Sequence, residues 1–195
     1  MYRMFFVAAL ALLVAGCVTV NNSLTPQQVA DFRLTEVDVT FAPDANIWWG
    51  DGEREYAATK GVAAHNAEQI AKTPEGMQYV RGRLTQKLTD ALRRDLAPYL
   101  VGRHAVRLQV VVRAAHISSP IQRILVGGGH FLKADVTVVD ARTGQPLLTY
   151  PNFIGSAMAG QGIVGTMVEH AMAGAPMDRV VAGFATGYRK WLLRQ

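Results

Sequence analysis

From residue 34 onward the chain alternates between two hydrophobic periods, two and about three and a half, and that alternation lays out its elements. Leu34 to Phe41 runs apolar and polar in turn, with Val37, Val39 and Phe41 on one side and Glu36, Asp38 and Thr40 on the other. This is the pattern of a half-buried strand, and Pro43-Asp44 is expected to end it. Trp48-Trp49-Gly50-Asp51-Gly52 reads as loop, and the alanine-rich stretch from Glu53 to Lys72 as partly helical, weakened at Gly61. The strongest helix signal starts at Thr73-Pro74-Glu75. Thr73 can cap, Pro74 suits the first helical turn, and Glu75 suits the positive end of the dipole. Met77, Val80, Leu84, Leu88, Leu92 and Leu96 then form one stripe, which Pro98 should close near Ala97.

Ala105 to Ser118 returns to period two, with Val106, Leu108, Val110, Val112 and Ala114 expected inward. His130 to Asp140 is a further strand. Ala141-Arg142-Thr143-Gly144 is a turn, and Leu147 to Phe153 is its hairpin partner. Met177 to Leu193 closes the chain as an amphipathic helix, with Val180, Val181, Phe184, Tyr188, Trp191 and Leu192 on one stripe. The order β-α-β-β-β-α predicts an α+β two-layer sandwich: a mostly antiparallel sheet of about four strands with two main helices on one face.

The first residues follow a different rule. Arg3 precedes an uninterrupted apolar run from Met4 to Val14. Eleven residues suit the core of a signal peptide and are about half of the ~20 needed to span a bilayer. Leu13-Val14-Ala15-Gly16-Cys17 follows, and Cys17 is the single cysteine of the chain. An ordinary secretory signal with a chance cysteine is the plainer alternative. The segment resembles the lipobox of bacterial lipoproteins, with Val14 where leucine is commoner. That resemblance implies cleavage between Gly16 and Cys17, a diacylglyceryl thioether on the Cys17 sulfur, and acylation of the new amino terminus. Several acyl chains give stable membrane attachment. Val18, rather than aspartate, follows the cysteine; by the sorting rule of such proteins this favours the periplasmic face of the outer membrane.

The expected organisation is a signal peptide over 1–16, a lipidated N-terminus and tether over 17–30, rich in Asn21, Asn22, Ser23, Thr25 and Pro26, and one envelope domain over 31–195. The layout resembles that of small envelope lipoproteins which assist lipid or polymer transport, among them the lipopolysaccharide-assembly and transport-auxiliary lipoproteins. Composition agrees with one globular domain: half the residues are apolar and 18% are charged. The formal charge of +5 favours anionic partners such as phospholipid headgroups and is too weak to argue nucleic acid. Charge is also segregated. Residues 31–55 hold seven acids and two bases, and residues 81–107 hold the reverse. Solvated faces that partly neutralise one another, or a basic face against headgroups or an acidic partner, both fit.

Specific chemistry is hard to find. Gly160, Gly162 and Gly165 match the dinucleotide fingerprint in letters, but no later strand completes the βαβ unit, so no cofactor is expected. If the 116–130 hairpin is symmetric, His116 and His130 face each other, and Asp135 would have to turn inward to make a third metal ligand. No metal site is expected on that basis. Asp51, Glu53 and Glu55 cluster beside Trp48 and Trp49, but carboxylate pairs in sugar-cleaving sites normally come from separate elements. No catalytic residue is assigned. The candidate partner surface is the Trp48-Trp49 pair, either docked under a helix or free for a protein or glycan, together with Met158, Met167 and Met172. These methionines lie in the glycine-rich segment 153–177, where Glu169 is the one formal charge. The sequence therefore points to a non-catalytic interaction or assembly module on a membrane, bound through its lipid and to an envelope protein. A lipid or glycolipid carrier is the alternative, and a lipid-anchored hydrolase the third choice.

Overall fold

The computed structural model describes residues 20–118, 129–157 and 174–195. A short helix, α1 (Pro26–Ala30), precedes a long strand, β1 (Phe32–Trp48). Helix α2 (Gly50–Thr59), a 3-10 turn and α3 (Ala67–Ala71) lead into α4 (Pro74–Leu96). Strands β2 (His104–His116), β3 (His130–Asp140) and β4 (Pro146–Ala157) follow, and α5 (Pro176–Leu193) ends the chain. The sheet runs in the order β1-β2-β3-β4. Its β2–β3 and β3–β4 pairs are antiparallel, and β1 lies parallel to β2. The expected α+β class and mostly antiparallel sheet are therefore present. The parallel pair follows from α4, because parallel neighbours need a crossover connection and a helix supplies it.

Helices α4 and α5 cover one face of the sheet. Val80, Leu84, Leu88, Leu92 and Leu96 of α4 meet Val106, Leu108, Val110 and Val112 of β2 in a core that also takes in Val180, Phe184 and Tyr188 of α5. Thr73 caps α4 as the sequence predicts, accepting the Gly76 N–H at 3.2 Å. Met77 departs from its stripe and is 45% exposed, because the neighbouring α3 leaves a groove there rather than a seal.

Two strand details differ from the sequence reading for stated reasons. Pro43 does not end β1. The strand bulges between Phe41 and Asn46 and resumes pairing to Trp48. β1 is an edge strand, where a proline removes no ladder hydrogen bond; Pro151 sits likewise in the other edge strand, β4. In β2 a register shift between Val112 and Ala114 inverts the alternation, so Ala115, not Ala114, is the fully buried residue.

Residues 20–30, read from the sequence as tether, lie against the domain. Thr25 and Gln28 form a reciprocal capping box on α1, and Val29 is buried. Asn22 donates from Nδ2 to the Leu192 carbonyl at 3.0 Å, and Trp191 Nε1–H donates to the Val20 carbonyl at 2.9 Å. Arg194 reaches the carbonyls of Asn22 and Leu24. The chain from Val20 onward is thus fastened to the C-terminal end of α5.

The Tyr188 hydroxyl is fully buried without a hydrogen-bond partner among the described residues, and burial pushes its pKa above the phenol range. A desolvated hydroxyl with no partner is a net cost. Tyr188→Phe is therefore expected to raise the unfolding free energy by about 1 kcal/mol, read from denaturant titration; a loss of stability would show that the hydroxyl is paired.

Candidate functional site

The helix layer covers one face of the sheet and leaves the other open. Polar and charged side chains hold most of the open face. Arg113 Nε–H donates to Asp135 at 2.9 Å, and Thr137 meets Thr149 at 3.2 Å. At the end where β1 and β2 finish, the character changes. Cross-strand register sets Trp48, His116 and Phe131 side by side on three adjacent strands. The Trp48 and His116 rings lie 4.7 Å apart at 85°, and His116 stacks on Phe131 at 5.6 Å and 13°. Burial, then the neighbouring His130, holds the His116 pKa below the usual imidazole value, which favours the neutral, stacking ring. Trp48 is 50% exposed; on β4 the row continues to Ser156, and Ile154, two residues before it, is 56% exposed.

Trp48 also forms one wall of a groove of about 320 Å³ between the end of β1, helices α2 and α3, and the start of α4. Ile47, Met77 and Val80 give it an apolar floor, and Glu53, Glu68, Lys72 and Arg81 stand around it. Lys72 is held by Glu68 at 2.7 Å. Arg81 lies over the Phe41 ring, 5.3 Å from its centre. Glu53 has no hydrogen bond or ion pair among the described residues, and burial, then the charge of Glu68, pushes its pKa up.

The tryptophan pair divides. Trp49 is 3% exposed, with Gly52 of α2 so close that a Cβ there would stand 2.6 Å from the ring and Lys87 at 6.0 Å on the ring face. It is a core residue and leaves the candidate surface; Trp48 alone faces solvent. The three neighbouring acids also separate. Residues two apart on a helix point about 200° from one another. Asp51 pairs with Arg54, Glu55 takes the Tyr79 hydroxyl at 3.0 Å and Arg83 at 2.9 Å, and only Glu53 meets the groove. The histidines part for the same kind of reason. The register pairs His116 with Phe131, so His130 falls on the opposite, buried side and accepts the Ser118 N–H at 3.1 Å through Nδ1. Asp135 is turned to Arg113. Among the described residues no three histidine, cysteine or acidic side chains gather as a metal-binding group.

Met158, Met167, Met172 and the Gly160–Gly165 motif lie outside the described residues. The flanks of that segment are structured: Phe153 to Ala157 extends β4 beyond the expected end of the hairpin, and Met177 is fully buried in α5. Sequence reasoning missed the aromatic row. Trp48, His116 and Phe131 are far apart in the chain, and only register brings them together.

No protein-family model matches the sequence, and no curated protein matches it. Several solved structures resemble it at low identity. A "putative lipoprotein" from Caulobacter crescentus is 18% identical with a TM-score of 0.35, over 57% of this chain and 82% of its own. A DUF330 protein from Xanthomonas campestris is 12% identical with a TM-score of 0.47, over 89% of this chain and 90% of its own. The PelC dodecamer from Paraburkholderia phytofirmans is 9% identical with a TM-score of 0.38, over 90% of this chain and 95% of its own. At TM-scores below 0.5 these likenesses decide neither the fold nor the role of this chain. Among the described residues no helix is long and apolar enough to cross a membrane.

Proposed function

We propose that the chain is a lipid-anchored lipoprotein of the bacterial cell envelope, on the periplasmic face of the outer membrane, whose domain is a non-catalytic interaction module. The observation that carries the anchor is Leu13-Val14-Ala15-Gly16-Cys17 after an 11-residue apolar run, with no other cysteine in the chain. The observation that favours an interaction module is the aromatic row of exposed Trp48 with half-buried His116 and Phe131, at a sheet end that no helix covers among the described residues. Aromatic side chains outside a core are enriched where proteins meet partners. Of the three clustered acids, Asp51 and Glu55 are engaged in ion pairs, which weighs against the hydrolase. A carrier would need a ligand space between sheet and helices. That space is filled by Leu84, Leu88, Leu92 and Phe184, each fully buried.

Cys17→Ala is expected to abolish labelling by radioactive palmitate and to leave either uncleaved precursor or protein released from the membrane. A variant that still enters the detergent phase at mature size would overturn the anchor. For the module, photo-crosslinking residues placed at Asn46 and Ile154, which flank the aromatic row, are expected to give a discrete protein adduct in cells. Adducts to lipid alone would favour the carrier instead.

A further inference from the structure

The tether and the charges together give the domain an orientation. Helices α4 and α5 run side by side in the same direction: Lys87 pairs with Asp178 at 2.6 Å, Asp95 with Thr186 at 2.7 Å, and Tyr99 with Arg189 at 2.9 Å. Both helices therefore finish at one end of the domain. The starts of β1 and β2 and the β3–β4 turn lie at that same end, because Phe32 pairs with His104 and Val106 with Asp140. Trp48, the groove and the acidic α2–α3 region lie at the other, about 34 Å away along the 23 residues of α4.

Val20 is fastened at the first end by Trp191. Cys17 precedes it by three residues, which span at most about 11 Å even when fully extended. A lipid on Cys17 therefore holds this end close to the bilayer surface, a distance comparable to the Debye length of about 8 Å at physiological salt. The charges match that placement independently. The side-chain carboxylates nearest this end, Asp31, Asp95, Asp140 and Glu36, are each engaged, with Arg103, Arg94, His104 and Arg107 respectively. Arg33, Arg93, Arg142, Lys190 and Arg194 have no carboxylate within 4 Å among the described residues, and all five are exposed except for the reach of Arg194 to the tether carbonyls. Arg93 and Lys190 also complement the helix dipoles, but Arg33 and Arg142 are on no helix. Beside them Val101 is 72% and Tyr99 45% exposed. The far end has the opposite sign: residues 44–75 hold six acids and three bases.

We propose that the domain stands on its membrane with the C-terminal ends of α4 and α5 down, this cationic end lying against anionic phospholipid headgroups and the Trp48 end held about 30 Å out in the aqueous space. The arrangement rests on the lipid-anchor reading above for its tether, and on the charge distribution for its contact. It leaves the aromatic row free for a partner approaching from the side away from the membrane.

The test uses the full mature protein, purified in detergent and reconstituted into vesicles of phosphatidylcholine alone or with 30% phosphatidylglycerol. With Cys17 acylated, a fluorophore can be placed at Thr143→Cys, on the cationic end, or at Glu68→Cys, on the far end. Quenching by headgroup nitroxide lipid in the anionic vesicles is expected at position 143 and not at 68. The contrast should fall in 0.5 M salt and in the Arg142→Glu/Lys190→Glu protein. Equal quenching at both positions, or stronger quenching at 68, overturns the orientation. Flotation separates the two readings. A protein that floats with phosphatidylcholine vesicles but shows no contrast keeps its anchor and loses the proposed contact. One that floats only with anionic vesicles and keeps the contrast loses the anchor and retains the contact. One that floats with neither loses both.

Discussion

Leu88→Ala should lower the unfolding free energy by about 2–5 kcal/mol. Leu88 is fully buried in the middle of α4, between Leu84 and Leu92, which are also fully buried. Its neighbours are fixed by a helix on one side and a sheet on the other, so the space left by one methine and two methyl carbons cannot collapse fully. The loss thus includes both the transfer term and a cavity term. Met77→Ala makes the contrast: it belongs to the same sequence stripe but is 45% exposed, and should cost under about 1 kcal/mol by the area it buries. Urea titrations of both variants check this. Equal losses would mean that α4 is packed as the sequence stripe implied rather than as the structure has it.

Gly155→Ala should cost about 3 kcal/mol, at the upper end of the range for overpacked sites. Gly155 lies in β4 where α5 crosses it, and a Cβ there would stand 2.4 Å from the Phe184 Cα. Gly183 of α5 is the matching approach, with a built Cβ 2.8 Å from the Ser156 carbonyl oxygen. Backbone cannot rotate aside as a flexible side chain can, so the helix must lift from the sheet. Lifting it would also disturb the contact of Phe153 with Phe184, whose ring centres are 4.9 Å apart. Gly82→Ala is the control. A Cβ at Gly82 meets nothing within 4 Å, and in mid-helix the exchange should add about 0.5–1 kcal/mol. Thermal melts of the two variants should therefore move in opposite directions; a neutral Gly155→Ala would show that α5 has room to shift.

Acid should weaken the β3–β4 turn in a predictable window. Asp140 accepts the Thr143 N–H at 2.6 Å and the Arg142 N–H at 2.9 Å, and it holds His104 at 2.8 Å. The Thr143 N–H first, then His104, hold its carboxyl well below the usual value of 3.8. A carboxyl depressed on folding contributes fully above its ordinary pKa, and the contribution is lost as pH falls through the folded value. Wild type should therefore exceed Asp140→Asn in melting temperature at pH 6, with the gap closing below pH 4. A gap constant across that range would remove Asp140 from the account.

Much of the fold was readable because it rests on local periodicity. The α4 cap at Thr73, the start at Pro74, the α5 stripe and the Asp140–Gly144 turn are properties of contiguous residues, and contiguous sequence specifies them. The resemblance to a lipobox is likewise local: it is carried by the contiguous residues Leu13 to Cys17, and no tertiary contact enters the proposal of an anchor there. What depended on position in the sheet was not readable in the same way. A proline would end a central strand but Pro43 is tolerated at an edge, and which strand is the edge is a matter of topology. The bulge at Arg113 inverted the facing of Ala114 and Ala115, since one extra residue reverses every later side chain. Trp48 and Trp49 are adjacent letters with opposite fates, exposed and buried, because Trp48 ends β1 while Trp49 caps α2 and packs its ring on Gly52, a boundary that only the packed helices set. Trp48, His116 and Phe131 became neighbours through register alone, and Val20 came to the C-terminal end of α5 through hydrogen bonds spanning about 170 residues of chain. Sequence determined the elements; the tertiary structure decided the surface, because surfaces are made by residues that register and packing bring together from distant parts of the chain.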